Sequence, residues 1–471
     1  MQQRPKPRSM PGPVAPVVVR AQRSERTSEG KQQGARFRPD IEGLRGVAVL
    51  LVVVFHAWPD LLGGGFIGVD VFFVISGFLI TGLLYRELGA TGRISFRDFY
   101  VRRIRRLFPA ASLALLATFL LSAWLLSPLA LPRVTGDGVA AALSVANIRF
   151  ALASGDYFTA VATPSPFLHY WSLSVEEQFY LVWPAMLLLV ARFGGLRLLS
   201  LAVLAITVVS LVFAVVGTEM ATAWAFYSLP ARAWQLAIGG LLAIVALERF
   251  HRRGISGLLA LAGWIGLGGV LLAGYVYDDL LAYPGWWALL PTLGALLVLA
   301  GGARRRGPGL RRRVPPLRVP GRIRYARSLW HWPVLVPPAA AWGGELPAAA
   351  RLMLVALAFV VASMSTLLLE EPVRRGTSRL TGRSLRAAAP PLAAMALAVV
   401  VGVGATAWMT ERTLAEVRGA DVAAAAPPDD VEGDALIEGL VEEEPPATPD
   451  PTPISTPDPA CLLYTSPSPR D

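Results

Sequence analysis

Two ionisable side chains stand in the first long apolar stretch of the sequence: Arg45 and, eleven residues later, His56. At 3.6 residues per turn that spacing returns to nearly the same helix face, about 16 Å further along the axis. A histidine can take a proton from a hydroxyl near neutral pH, and an arginine can grip a phosphate or carboxylate through two parallel N–H bonds. The pattern predicts one cavity, with Arg45 near the cytoplasmic end of the segment and His56 near the outer end. The competing reading is an arginine that snorkels to the interface and a histidine among the outer headgroups. A charge inside a bilayer costs about 3 kcal/mol on insertion scales, so function is the first hypothesis.

Three further groups carry chemistry. In His169-Tyr170-Trp171-Ser172-Leu173-Ser174-Val175-Glu176-Glu177-Gln178-Phe179-Tyr180, two adjacent carboxylates open an apolar run. Ser172, Glu176 and Tyr180 share a helix stripe, whereas Glu176 and Glu177 point about 100° apart and so call for different partners. The alternative is a helix start carrying acids against its dipole. In Phe99–Pro109, Arg102, Arg103, Arg105 and Arg106 could bind the phosphates of a nucleotide-like donor, or act as a topology signal that meets anionic lipid. Finally, Trp330-His331-Trp332-Pro333 places a histidine at the expected cytoplasmic start of a later span. There it is either functional or an aromatic-belt anchor.

The elements that must hold these residues are apolar runs at 44–58, 66–85, 108–130, 168–191, 196–216, 230–247, 255–275, 286–302, 328–342, 349–369 and 388–409. Most approach the ~20 residues that cross a bilayer. The first and ninth are short, and 138–153, with Asn147 and Arg149, reads as re-entrant or interfacial. Arg-rich and Arg-poor loops alternate strictly for eleven spans. The fold class is therefore an all-α, polytopic transmembrane bundle of about 11 spans, N-terminus in and C-terminus out.

Composition agrees: 54 % of residues are apolar, 16 % are charged and the net charge is +11, with arginines clustered between the apolar runs. That charge follows loops on one membrane face and argues against nucleic-acid binding. The one cysteine, Cys461, lies near the end of the chain, so a disulfide framework and a cysteine metal site are excluded, and no metal is expected. Residues 1–35 read as a disordered basic cytoplasmic arm without a cleavable signal, 36–380 as the membrane domain and 381–410 as the final span. Residues 411–460 read as an acidic, Pro-rich extracytoplasmic linker that leads to a missing outer domain. Residues 461–471 resemble the in-frame translation of a sequencing adapter, which implies a natural chain continuing past about Ala460. The alternative is a natural disordered tail.

Taken in order, these motifs resemble the acyltransferase-3 family of bacterial membrane proteins. The likeness rests on Asp40-Ile41-Glu42-Gly43-Leu44-Arg45-Gly46 with His56, and on Gly68-Val69-Asp70-Val71-Phe72-Phe73-Val74-Ile75-Ser76-Gly77-Phe78-Leu79-Ile80. The Phe99–Pro109 arginines, Trp171–Tyr180, Trp330–Pro333 and Glu370-Glu371-Pro372-Val373-Arg374 complete it, over roughly 36–380. The resemblance implies a multi-pass enzyme of the bacterial inner membrane. It would move an acyl group, often acetyl, from cytoplasmic acyl-CoA to a hydroxyl of a cell-envelope sugar or polysaccharide. It implies a functional Arg45–His56 pair, and the acidic linker fits a subgroup fused to an outer SGNH-type domain.

One departure stands out. Arg324 and Arg327 replace small or apolar residues just before the Trp-His-Trp-Pro motif, so this span would begin later or the variant would be impaired.

The expected mechanism is direct transfer, with acyl-CoA as donor substrate and no bound cofactor. Arg102, Arg103, Arg105 and Arg106 hold the CoA phosphates, Arg45 orients the donor, His56 is the general base and Glu176 fixes its tautomer. Asp70, Ser76, His169, Ser172, Glu177, Tyr180 and His331 are further pocket candidates. The rivals are a transporter or flippase for an envelope precursor, which also needs intramembrane charges, and a catalytically dead anchor for the outer domain.

Overall fold

The computed structural model describes residues 38–154, 164–249, 256–278, 280–302, 324–375 and 387–425. The arm 1–35, the linker beyond 425 and residues 461–471 lie outside them. The chain divides into two units, Met1–Arg412 and Thr413–Asp471, and of the second only the helical residues 413–425 are described.

Among the described residues all regular structure is helical. The first unit holds α1 (Pro39–Ala57), α2 (Gly68–Thr91), α3 (Phe96–Leu125), α4 (Leu131–Ala142), α5 (Ala146–Ala153), α6 (Tyr170–Met220) and α7 (Thr222–Tyr227). It continues with α8 (Leu229–Arg249), α9 (Ser256–Val276), α10 (Leu289–Gly302), α11 (Arg324–Trp342), α12 (Ala348–Ser365), α13 (Glu371–Arg375) and the start of α14 (Ala389–Ala425).

Every one of the eleven apolar runs is helical. Among the described residues, eight helical segments are long and apolar enough to cross a membrane by length and composition. The other three runs form α1 and α11, with 19 residues each, and the 14-residue α10. Helix α6 contains two of the runs, broken at Gly195, whose φ of 66° is open to glycine without a Cβ clash. The 138–153 stretch forms the end of α4 and all of α5, of 12 and 8 residues, each too short to span. Buried Asn147 and Gln178 exchange a hydrogen bond of 2.8 Å that clips α5 to α6.

The helices are hydrophobic toward lipid as well as toward one another. On the second arm of α6, Leu201, Val209 and Phe213 are 62 %, 64 % and 59 % exposed, a surface that suits acyl chains and not water. Without a hydrophobic drive between helices in lipid, close backbone approach holds the bundle. Helices α2 and α8 show it: a Cβ on Gly77 would overlap the Leu236 carbonyl, and one on Gly239 the Val74 carbonyl. Gly77→Val is therefore expected to push the pair apart. Its yield of monodisperse protein in detergent should fall severalfold, whereas Gly89→Val, where a Cβ meets nothing within 4 Å, should match wild type.

Candidate active site

Helices α1, α2, α3, α6, α7 and α11 enclose a cavity of about 950 Å³. Both Arg45 and His56 line it, so the two ionisable groups of the 44–58 run share the interior. The snorkelling alternative for this pair does not fit that placement.

At the His56 level α1, α11 and the residue that precedes α6 each contribute an imidazole. His56 Nδ1 lies 3.3 Å from His331 Nε2, and the two rings stack at 5.3 Å with a 17° tilt. His169 approaches His331 edge-on, with ring centroids 5.9 Å apart. Neither ring nitrogen of His169 has a side-chain partner among the described residues. The Trp332 ring stands edge-on to His56 at 4.4 Å, and its Nε1 donates to the Ser165 carbonyl at 2.8 Å, tying α11 to the segment that leads into α6.

His331 is buried and lines the cavity. Helix α11 already begins at Arg324, so its rise of 1.5 Å per residue carries His331 about 10 Å inward. The expectation of a later start is corrected by the same fact, while the side chains of Arg324 and Arg327 lie outside the described residues. Among the described residues no group of three or more His, Cys, Asp or Glu is arranged to hold a metal ion. Stacked imidazoles do not aim their lone pairs at one point.

The tandem carboxylates have separate partners. Ser76 Oγ donates to Glu176 Oε1 at 2.8 Å. Arg103 donates to both oxygens of Glu177, at 2.6 and 3.3 Å, and its guanidinium sits 3.5 Å from the centre of the Tyr180 ring. Ser76, Ser172, Glu176, Glu177 and Tyr180 all line the cavity. The expected bond from Glu176 to His56 is absent: the hydrogen bond described for His56 goes to His331, and that of Glu176 comes from Ser76.

The four arginines divide into two pairs. Arg103 and Arg106, three apart, line the cavity. Arg102 is outside it, 53 % exposed and 4.0 Å from Glu87, and Arg105 donates to the Val373 carbonyl at 3.4 Å. Two of the four arginines expected at one site therefore line the cavity and two do not, although Arg102 lies one turn from Arg106 on α3.

Asp70 also departs from expectation. It lies behind the cavity wall, 1 % exposed, paired with Arg232 at 3.0 Å and accepting from Gln235. Arg232 donates to the Phe226 carbonyl at 2.9 Å, and its guanidinium faces the rings of Phe226, Tyr283 and Trp171 at 4.9, 5.3 and 5.7 Å. Those three rings line the cavity, so the buried pair backs its aromatic wall. Burial, with the Asp70 carboxylate nearby, holds the Tyr283 hydroxyl well above its ordinary pKa, so it stays protonated. Sequence reasoning passed over Arg232 and Gln235. Their signal was available, since both are polar residues inside the apolar run 230–247.

A family profile described as an acyltransferase domain matches residues 38–369. The chain is 31 % identical over 353 residues to the peptidoglycan O-acetyltransferase OatA of Listeria monocytogenes, covering 72 % of this chain and 56 % of that protein. It is 32 % identical over 359 residues to the putative peptidoglycan O-acetyltransferase YrhL of Bacillus subtilis, covering 73 % and 56 %. It is 28 % identical over 355 residues to the O-acetyltransferase OatA of Staphylococcus aureus, covering 73 % and 58 %. The chain thus spans a little over half the length of these relatives. No solved structure matches it. A helical, multi-pass membrane bundle, a domain profile that covers most of it, and relatives that carry the acetyltransferase name lead to one statement: the chain belongs to the acyltransferase-3 family.

Proposed function

We propose that this membrane domain transfers an acyl group, acetyl first among candidates, from cytoplasmic acyl-CoA to an envelope hydroxyl, with peptidoglycan as the acceptor. The bacterial inner membrane, with the N-terminus inside, is its setting. The observation that carries this reading is one cavity lined by three guanidinium groups, Arg45, Arg103 and Arg106, and by the His56 imidazole. Guanidinium forks suit the phosphates of a CoA donor, and a neutral imidazole suits a hydroxyl acceptor. The acceptor class comes from the names of the relatives.

The step balances without a co-reactant. The acceptor oxygen attacks the thioester carbonyl and gives its proton to His56. The new C–O bond forms as the C–S bond breaks, and His56 passes the proton it took to the departing thiolate, which leaves as the free thiol and restores the neutral imidazole. Arg45 orients the donor. Glu176, held by Ser76, lines the same cavity as the guanidinium groups.

The test incubates the full chain in detergent with labelled acetyl-CoA and solubilised peptidoglycan strands, and follows thiol release and label transfer. Arg103→Ala or Arg106→Ala is expected to raise the donor KM about tenfold or more, the worth of one lost charge-assisted contact. Arg102→Ala should stay within about twofold of wild type, because that side chain is outside the cavity. Equal effects at Arg102 and Arg106, or acetyl-CoA-independent movement of the acceptor across vesicles, would replace this reading with a lipid-binding or transport role.

A further inference from the structure

His331 is 5 % exposed, deep in α11, and presents Nε2 to His56 Nδ1 at 3.3 Å. Two tautomers satisfy that contact. If His331 Nε2 donates, His56 accepts at Nδ1, and a neutral His56 then carries its proton on Nε2 and has no lone pair for an acceptor hydroxyl. If His331 Nε2 accepts, His56 carries its proton on Nδ1 and leaves Nε2 bare as a base. Only the second arrangement serves proton abstraction. It also keeps an acceptor against the Nδ1 proton after Nε2 has been protonated, which stabilises the imidazolium.

Resting on the acyl-transfer reading above, we propose that His331 is the positioning residue for His56, filling with a neutral imidazole the orienting role that the sequence had suggested for Glu176. The surroundings fit that task. The stacked ring fixes the plane of His56, and Trp332, anchored through its 2.8 Å bond to the Ser165 carbonyl, closes the edge of His56 at 4.4 Å. The imidazole thus has little freedom to rotate away. His331 itself touches no reacting atom in this scheme. It acts through the proton it accepts from His56.

The test compares His331→Leu with His331→Gln in the full-length protein. Both keep much of the ring's bulk, but only glutamine offers an acceptor near the position of Nε2. With acetyl-CoA and solubilised peptidoglycan strands, His331→Leu should lose about a hundredfold in kcat with the donor KM unchanged, and His331→Gln should recover to within about tenfold of wild type. In wild-type protein 15N-labelled at histidine, His56 should read as protonated at Nδ1 and bare at Nε2, assigned through the signal lost in His56→Ala. Wild-type kcat in His331→Leu, equal losses in both variants at normal abundance, or a bare Nδ1 on His56 would overturn the proposal. Full activity in His56→Ala would instead overturn the acyl-transfer reading on which it rests.

Discussion

Replacing His56 by alanine is expected to cut label transfer by about a thousandfold or more, with protein abundance and elution in detergent unchanged. A positioned general base contributes roughly 10²–10⁴ in rate, and a thousandfold corresponds to about 4 kcal/mol of barrier. His56 is lodged in the cavity lining and bonded on its inner nitrogen to His331, so the deletion removes the base together with the geometry that prepares it. The loss should fall on kcat, because the guanidinium groups proposed to hold the donor are untouched. The donor KM should stay near wild type. A His56→Ala protein that transfers acetyl at the wild-type rate would remove His56 from the chemistry altogether.

The second large effect concerns stability. Asp70→Ala strands the Arg232 guanidinium at 1 % exposure without a countercharge, and breaking a buried pair from one side costs about 3–5 kcal/mol. Detergent-solubilised protein should unfold at a clearly lower temperature, or fail to accumulate. Removing both charges, as Asp70→Leu with Arg232→Leu, should recover much of that loss, because two apolar side chains leave nothing uncompensated. Arg232 also backs Phe226, Tyr283 and Trp171, so the double variant should be sturdier than Asp70→Ala and still impaired in transfer. A double variant less stable than Asp70→Ala alone would show that the pair contributes more together than its desolvation costs.

The helical layout was legible because length and apolarity decide it. A run near twenty apolar residues has few options in lipid other than helix. The two runs that looked short, around His56 and His331, are the same ones that form 19-residue helices below the membrane-crossing criteria. Their polar residues interrupt the hydrophobic pattern because those helices line the cavity. The period of α1 correctly put Arg45 and His56 on one interior. The period of α3 does not by itself divide its four arginines, because Arg102 and Arg106 are one turn apart; only the packed structure shows that Arg106 lines the cavity and Arg102 does not.

What could not be read was which helix faces which. The contact from His56 to His331 joins positions 275 residues apart, and nothing local in either segment encodes the other. The orienting partner of His56 was therefore sought in the nearest available carboxylate motif, whereas Glu176 is held by Ser76 of α2. Asp70 was assigned to the pocket because it sits in the same motif as Ser76. Six residues on a helix amount to 600° of rotation, which turns Asp70 toward α8 and Arg232 while Ser76 faces the cavity.

The imidazole cluster has a consequence for how such a protein is made. His56 and His169 precede His331 in the chain by 275 and 162 residues, so both are synthesised long before it. Until α11 has been threaded and docked, the nascent bundle has its arginines and its first two histidines but no neighbour for the nitrogen of His56 that faces α11. On the proposed acyl-transfer reading, a chain synthesised only as far as α10 would hold the arginines and His56 but lack the partner that orients the base.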